Sequence, residues 1–239
     1  VGPVYFLKID FYEYFERCRG ADKERECPDQ CELKVFPAVP PVWVPPPQNR
    51  DRLVGLVVSR DPTVAFIPTY LSAQAMSASS GREHLFASDA IPRWICDRIA
   101  VFNRTFMPNP FSEEELTNFR HVLYDGVYWT HLNKCCTDTR GEQSLRFKKK
   151  NAYRCADHWL RSEIESVLRE HVAFIVALGM DVERWFEHNL DLIDPSGVRL
   201  YRLPHPSRAN MASWYPKDEH VRERLAGEIE GLVRQCNDV

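Results

Sequence analysis

The chain has 239 residues, of which 44% are apolar and 27% charged, with a formal net charge of −3. That is the make-up of an ordinary globular protein with a sizeable core, and no apolar run approaches the ~20 residues that span a bilayer, so no membrane partner is expected. The acidic balance excludes nucleic-acid binding through net charge alone, although a local basic stripe suffices for phosphate contact. Eight cysteines in a chain this long, with no secretory leader at Val1, point to reduced thiols or metal ligation in a cytoplasmic protein, and a monomer is expected.

In chain order, an amphipathic stretch from Val4 to Arg19 leads into a polar segment holding Cys18, Cys27 and Cys31. The run Phe36-Pro-Ala-Val-Pro-Pro-Val-Trp-Val-Pro-Pro-Pro47 has too many prolines for a helix or a central strand and reads as a stiff extended connector. Residues 1–50 are therefore expected to wrap a single domain covering 1–239. Four short runs rich in Val, Ile, Leu and aromatics read as buried strands: Leu53–Ser59, Val127–Asn133, Ala173–Leu178 and Val198–Leu203. Helical patterns fall at Pro92–Phe106, Ser112–Leu123, Asn151–His171, Val182–Asn189 and Lys217–Cys236, and Ser112-Glu-Glu-Glu115 forms a capping box. Strands alternating with helices predict an α/β fold, a three-layer α/β/α sandwich around a mainly parallel sheet. In such sheets functional residues collect beyond the carboxyl ends of the strands.

Two of those ends carry chemistry. Gly55-Leu-Val-Val-Ser-Arg-Asp61-Pro62-Thr63 breaks from a strand into a turn with a carboxylate, and Leu203-Pro-His205-Pro-Ser207-Arg-Ala-Asn210 breaks into a turn with an imidazole. Between them lie Leu85-Phe86-Ala-Ser-Asp-Ala-Ile91-Pro92, the strand Val127-Tyr-Trp-Thr-His131-Leu-Asn133-Lys-Cys135, and the basic run Arg146-Phe-Lys148-Lys149-Lys150. Cys27-Pro-Asp-Gln-Cys31 supplies two neighbouring thiols, Cys135 ends the third motif, and Cys155 sits early in a predicted helix. No deaminase signature, P-loop, or flavin or nicotinamide fingerprint occurs.

Together and in this order, the segments resemble the motifs of the uracil-DNA glycosylase superfamily, and the cysteines are placed much as in its iron–sulfur branch. The resemblance spans about residue 27 to 210, with identity concentrated in the short motifs. It implies a DNA-repair enzyme that hydrolyses the N-glycosidic bond of uracil, or of another deaminated or modified base, flipped out of DNA. Asp61 would stabilise the sugar cation and position water, and His205 would stabilise the departing base. Phe86 would stack on the base. Ser207, Arg208 and Asn210 would grip the backbone and hold the vacated gap, with Lys148 and Lys149 adding a basic approach. The family's base-reading asparagine is replaced here by His131, with Asn133 two places on; residues i and i+2 share a strand face, so either can read the base. The iron–sulfur branch implies a [4Fe–4S] cluster on Cys27, Cys31, Cys135 and Cys155, with Cys18 as a substitute for Cys27. Four thiolates also suit structural zinc. The alternative function is a non-catalytic nucleic-acid-binding protein retaining the fold and a structural metal site.

Overall fold

The computed structural model describes residues 10–20, 26, 27, 29, 31, 41–88, 90–137 and 147–239. Residues 4–9 of the expected N-terminal amphipathic stretch, 36–40 of the proline run and Arg146 of the basic run lie outside the described residues.

The four predicted strands form, each trimmed at its ends: β1 (Gly55–Ser59), β2 (Val127–His131), β3 (Phe174–Leu178) and β4 (Arg199–Leu203). They pair in the order β2-β1-β3-β4, every pair parallel. Every residue of β1 and β3 is buried, as their continuous apolar character requires in a sheet covered on both faces. Helix α1 (Phe11–Arg19) precedes β1. Helices α2 (Ile67–Gln74), α3 (Ala78–Ser88), α4 (Ala90–Phe106) and α5 (Glu113–Asp125) lie between β1 and β2. From β2 to β3 run α6 (Lys149–Cys155), a π turn over Ala156–Leu160, and α7 (Arg161–Leu168). Helix α8 (Met180–Glu187) joins β3 to β4, and α9 (Met211–Trp214) and α10 (Glu219–Asn237) follow.

Alternation along the strands sorts the core into two layers. Leu56, Val58, Tyr128, Ile175 and Ala177 pack with α1, α6, α7 and α8. Val57, Trp129, Val176, Leu178 and Leu203 pack with α2 to α5 and α10. The crossover from β1 to β2 thus uses one face, and those from β2 to β3 and β3 to β4 use the other. Right-handed crossovers running in opposite directions along a sheet need that segregation. The direction reverses between β1 and β3, which opens a crevice beyond their carboxyl ends.

Local chemistry explains the boundaries. Ser112 caps α5 as expected: its hydroxyl accepts from the Glu115 N–H at 3.2 Å, and the Glu115 carboxylate accepts from the Ser112 N–H at 2.7 Å. The single helix expected over Asn151–His171 is instead α6 and α7, interrupted by the π turn. Helices α2 and α3 escaped the sequence reading because their small and polar residues give little apolar periodicity. The described part of the proline run forms no helix or sheet strand, as its composition requires. From Pro41, which bridges to Cys135, residues 42–47 are buried. The Val42 N–H donates to the Lys134 carbonyl at 2.8 Å, and the Trp43 N–H to the Tyr70 hydroxyl at 3.0 Å.

The two central strands meet most tightly at Gly55 of β1, where a Cβ would stand 2.4 Å from the ring of Phe174, its register partner on β3. Phe174 is fully buried and cannot retreat. Gly55→Ala is expected to cost about 1–3 kcal/mol through overpacking, read as a lower urea midpoint with an unchanged denaturant slope.

Candidate active site

Parallel register brings the strand ends level: Ser59 lies beside His131, and Leu178 beside Leu203. The turns that follow therefore gather on one edge. Asp61 and Pro62 after β1, His131 at the end of β2 and His205 after β4 line one pocket, together with Thr63, Phe66, Leu85, Phe86 and Trp129. Asp61 and His205, far apart in sequence, converge as expected.

The Asp61 carboxylate is held at both oxygens. Arg60 Nε donates to Oδ1 at 2.5 Å, and the Thr137 hydroxyl donates to Oδ2. Its side chain is 6% exposed, whereas that of Arg60 is 44% exposed. The Arg60 guanidinium lies 4.4 Å from the ring centre of Phe147, which links the pocket rim to the exposed Lys148 and Lys149 at the start of α6.

His205 accepts a hydrogen bond at Nδ1 from the Ser207 N–H at 3.3 Å. That contact places the ring proton on Nε2, leaving Nε2–H to donate. Burial, followed by the neighbouring Arg60 charge, pushes the His205 pKa below its ordinary value, while Asp61 acts in the opposite direction. The imidazole is therefore neutral near pH 7. Beside it, Gly179 follows β3 at φ +89°, a conformation L side chains rarely adopt, and a Cβ there would lie 3.4 Å from His205 Cβ. The His205 carbonyl also accepts from Trp214 Nε1 at 3.2 Å.

Of the two candidates for reading a base, only His131 is in the pocket wall. The chain bends directly after His131, ending the strand two residues before the expected limit and breaking the i, i+2 alternation. Asn133 is buried in that bend, where its side-chain amide donates to the Cys135 carbonyl at 2.9 Å. The His131 Nδ1 is sealed from solvent without a hydrogen-bond partner. Burial first, then the Lys134 and His205 charges, push its pKa down to about 3.

Phe86 lines the pocket, with the Arg82 guanidinium 4.2 Å from its ring centre. Phe66 was not singled out from sequence, yet it also lines the pocket, stacks on Tyr70 at 6.3 Å and lies 6.5 Å from His131. Its only signal was being an aromatic five residues after Asp61. Thr137 carried no such signal. In the last turn, Arg208 is exposed, while the Asn210 amide donates to the Ser207 hydroxyl at 3.0 Å, so these two residues brace their own loop.

None of the eight cysteines is in a disulfide. Cys31 packs against Cys135 and Cys136. Cys27 and Cys31 lie near enough to Cys155 for their charges to act on it, although burial is the chief cause of its pKa rising to about 12. Cys155 Sγ accepts the Lys134 N–H at 3.4 Å. Cys18 hydrogen-bonds with Tyr14. Among the described residues no group of three ligating side chains is already drawn together, but the donor chemistry is that of a four-thiolate site.

No protein-family model matches the chain, and no curated protein is significantly similar to it. Among the described residues no helix is long and apolar enough to cross a membrane.

The buried imidazole has a thermodynamic consequence. A histidine with pKa about 3 when folded and an ordinary value of 6.5 binds fewer protons folded than unfolded between those pH values. Stability is therefore full above about 6.5 and declines as pH falls toward 3. His131→Asn is expected to flatten that decline, measured by urea unfolding at a series of pH values.

Proposed function

We propose that the protein is a DNA glycosylase that hydrolyses the N-glycosidic bond of a deaminated or modified base flipped out of DNA. The observation that carries this reading is the meeting of Asp61 and a neutral His205 in one pocket walled by aromatic rings. As the C1′–N bond breaks, its electron pair goes to the base and positive charge develops on the sugar. Asp61, held at both oxygens by Arg60 and Thr137, stabilises that charge and orients the water that adds to C1′, and the proton this water sheds neutralises the departed base anion. His205 Nε2–H donates to the oxygen of the base where negative charge accumulates. Its neutrality matters because the proton then stabilises the leaving group while remaining on the ring. Phe66 and Phe86 offer faces for stacking, which contributes about 1–3 kcal/mol per base. Arg60, Arg208, Lys148 and Lys149 provide the cationic rim for phosphate.

His131 at the base-reading position supports a specificity other than that of an amide-lined uracil pocket. A neutral imidazole presents its donor and acceptor on opposite ring edges and cannot copy an amide's paired contact.

Cys27, Cys31, Cys135 and Cys155 would hold a [4Fe–4S] cluster. Its contribution when bound would be structural, fastening the N-terminal segment to the turn after β2 and to the end of α6. Protein purified without oxygen is expected to be brown and to carry about four irons per chain. Stoichiometric zinc in a colourless protein would replace the cluster with a structural zinc site.

The catalytic reading is tested by incubating the protein with oligonucleotides that each carry one modified base, followed by alkaline cleavage. Asp61→Asn is expected to lower excision by about 10²–10⁴-fold without weakening DNA affinity. A wild-type protein that binds DNA and excises no base in the panel would favour the non-catalytic alternative.

A further inference from the structure

A base flipped out of a duplex leaves a gap, which the neighbouring pairs close unless an apolar side chain is inserted there. The turn after β4, directly following His205, has no side chain suited to that task. Arg208 is charged, Ala209 is short, the Asn210 amide is bound to the Ser207 hydroxyl at 3.0 Å, and Met211 is half-buried.

The turn after β3 has one. Met180, at 67%, is the most exposed large apolar side chain among the described residues. Single exposed apolar residues are ordinary on a protein surface; what sets Met180 apart is where it stands. Strand β3 lies between β1 and β4, so its turn lies between that of Asp61 and that of His205. The Gly179 N–H ties it to the end of β4 by donating to the Leu203 carbonyl at 2.8 Å. On its other side, the Tyr153 hydroxyl donates to the Asp181 carbonyl at 3.1 Å, and Lys149 Nζ lies 5.1 Å from the Tyr153 ring centre. Met180 is thus set between the turn of the imidazole and the basic start of α6. Asp181 and Glu183, in the first turn of α8, make this turn a poor neighbour for phosphate. Its apolar tip suits stacked bases instead.

We propose that Met180 is a wedge that enters the duplex and fills the space vacated by the flipped base. This rests on the glycosylase reading above and assigns the residue that keeps the base out of the stack. The unbranched thioether chain is flexible enough to follow an irregular gap between base pairs. Arg60, Lys148, Lys149 and Arg208, all exposed, take the flanking phosphates and set the register.

The test compares affinity for a duplex with one tetrahydrofuran abasic site, the same duplex intact, and the abasic strand alone. Because the gap is already present, the readout does not depend on which base is excised. The wild type is expected to prefer the abasic duplex to the intact one. Met180→Ala is expected to lose about tenfold on the abasic duplex, equivalent to about 1.4 kcal/mol, and less than about twofold on the single strand. Met180→Leu should restore most of that loss. Leu190→Ala, which removes a 40% exposed apolar side chain beyond the far end of α8, should change none of the three affinities. Unchanged abasic-duplex affinity in Met180→Ala would overturn the wedge, and so would equal loss on duplex and single strand. Either result leaves the glycosylase reading intact if the wild type excises a base from the panel above. A selective, Leu-rescued loss in a protein that excises no base would uphold the wedge and overturn the catalytic reading.

Discussion

A single buried charge organises much of the molecule. The Lys134 side chain is almost wholly enclosed, and its ammonium pairs with Glu163 and Thr130 and lies 4.7 Å from the ring centre of Trp43. Glu163 also accepts from the Tyr128 hydroxyl at 2.5 Å and from Thr130 at 2.9 Å. Charges removed from water in this way are tolerable only when paired and hydrogen-bonded, and breaking such a pair is far more damaging than never having built it. The pair therefore fixes β2 against α7 at one separation. The Lys134 backbone extends that constraint, with its N–H on Cys155 and its carbonyl on Val42. One residue thus touches the sheet, Cys155 and the segment that walls the pocket.

The same charge shapes the chemistry next door. Lys134 is among the groups that keep His131 unprotonated, and Arg60 acts likewise on His205. Two imidazoles facing one pocket would repel each other if both were cationic. Neutral, they serve as directional hydrogen-bonding groups in a site where the carboxylate supplies the negative charge. The Ser207 N–H then settles which nitrogen of His205 carries its proton. Preorganisation of this type lets a site respond to charge developing during reaction without rearranging.

The sheet was readable because its strands are short apolar runs between turns, and Asp61 and His205 because each follows such a run. Their convergence then follows from parallel register alone. What stayed hidden depends on contacts between distant residues. Thr137 looks like any loop threonine until it reaches back to Asp61. Asn133 fits the strand pattern, but the bend after His131 removes it from the pocket, and pattern alone does not locate that bend. The π turn at Ala156–Leu160 leaves the apolar spacing of its helix nearly unchanged. The proline run was read as a connector because proline is poor at regular pairing. Its burial arises instead from the groups that come to meet it: Tyr70, Arg82 and the Lys134 carbonyl.

That buried run changes how the chain can be divided. Residue 50 is a tempting boundary for trimming, since regular strand structure begins only at Gly55. Yet Val44 lines the pocket, Pro45 holds Arg82, and Pro47 accepts from the Tyr12 hydroxyl at 2.9 Å. A shortened chain starting at residue 50 would retain all four strands, Asp61 and His205 while lacking a wall of the cavity between them. The run that looks like a removable preface is therefore part of both the core and the cavity wall.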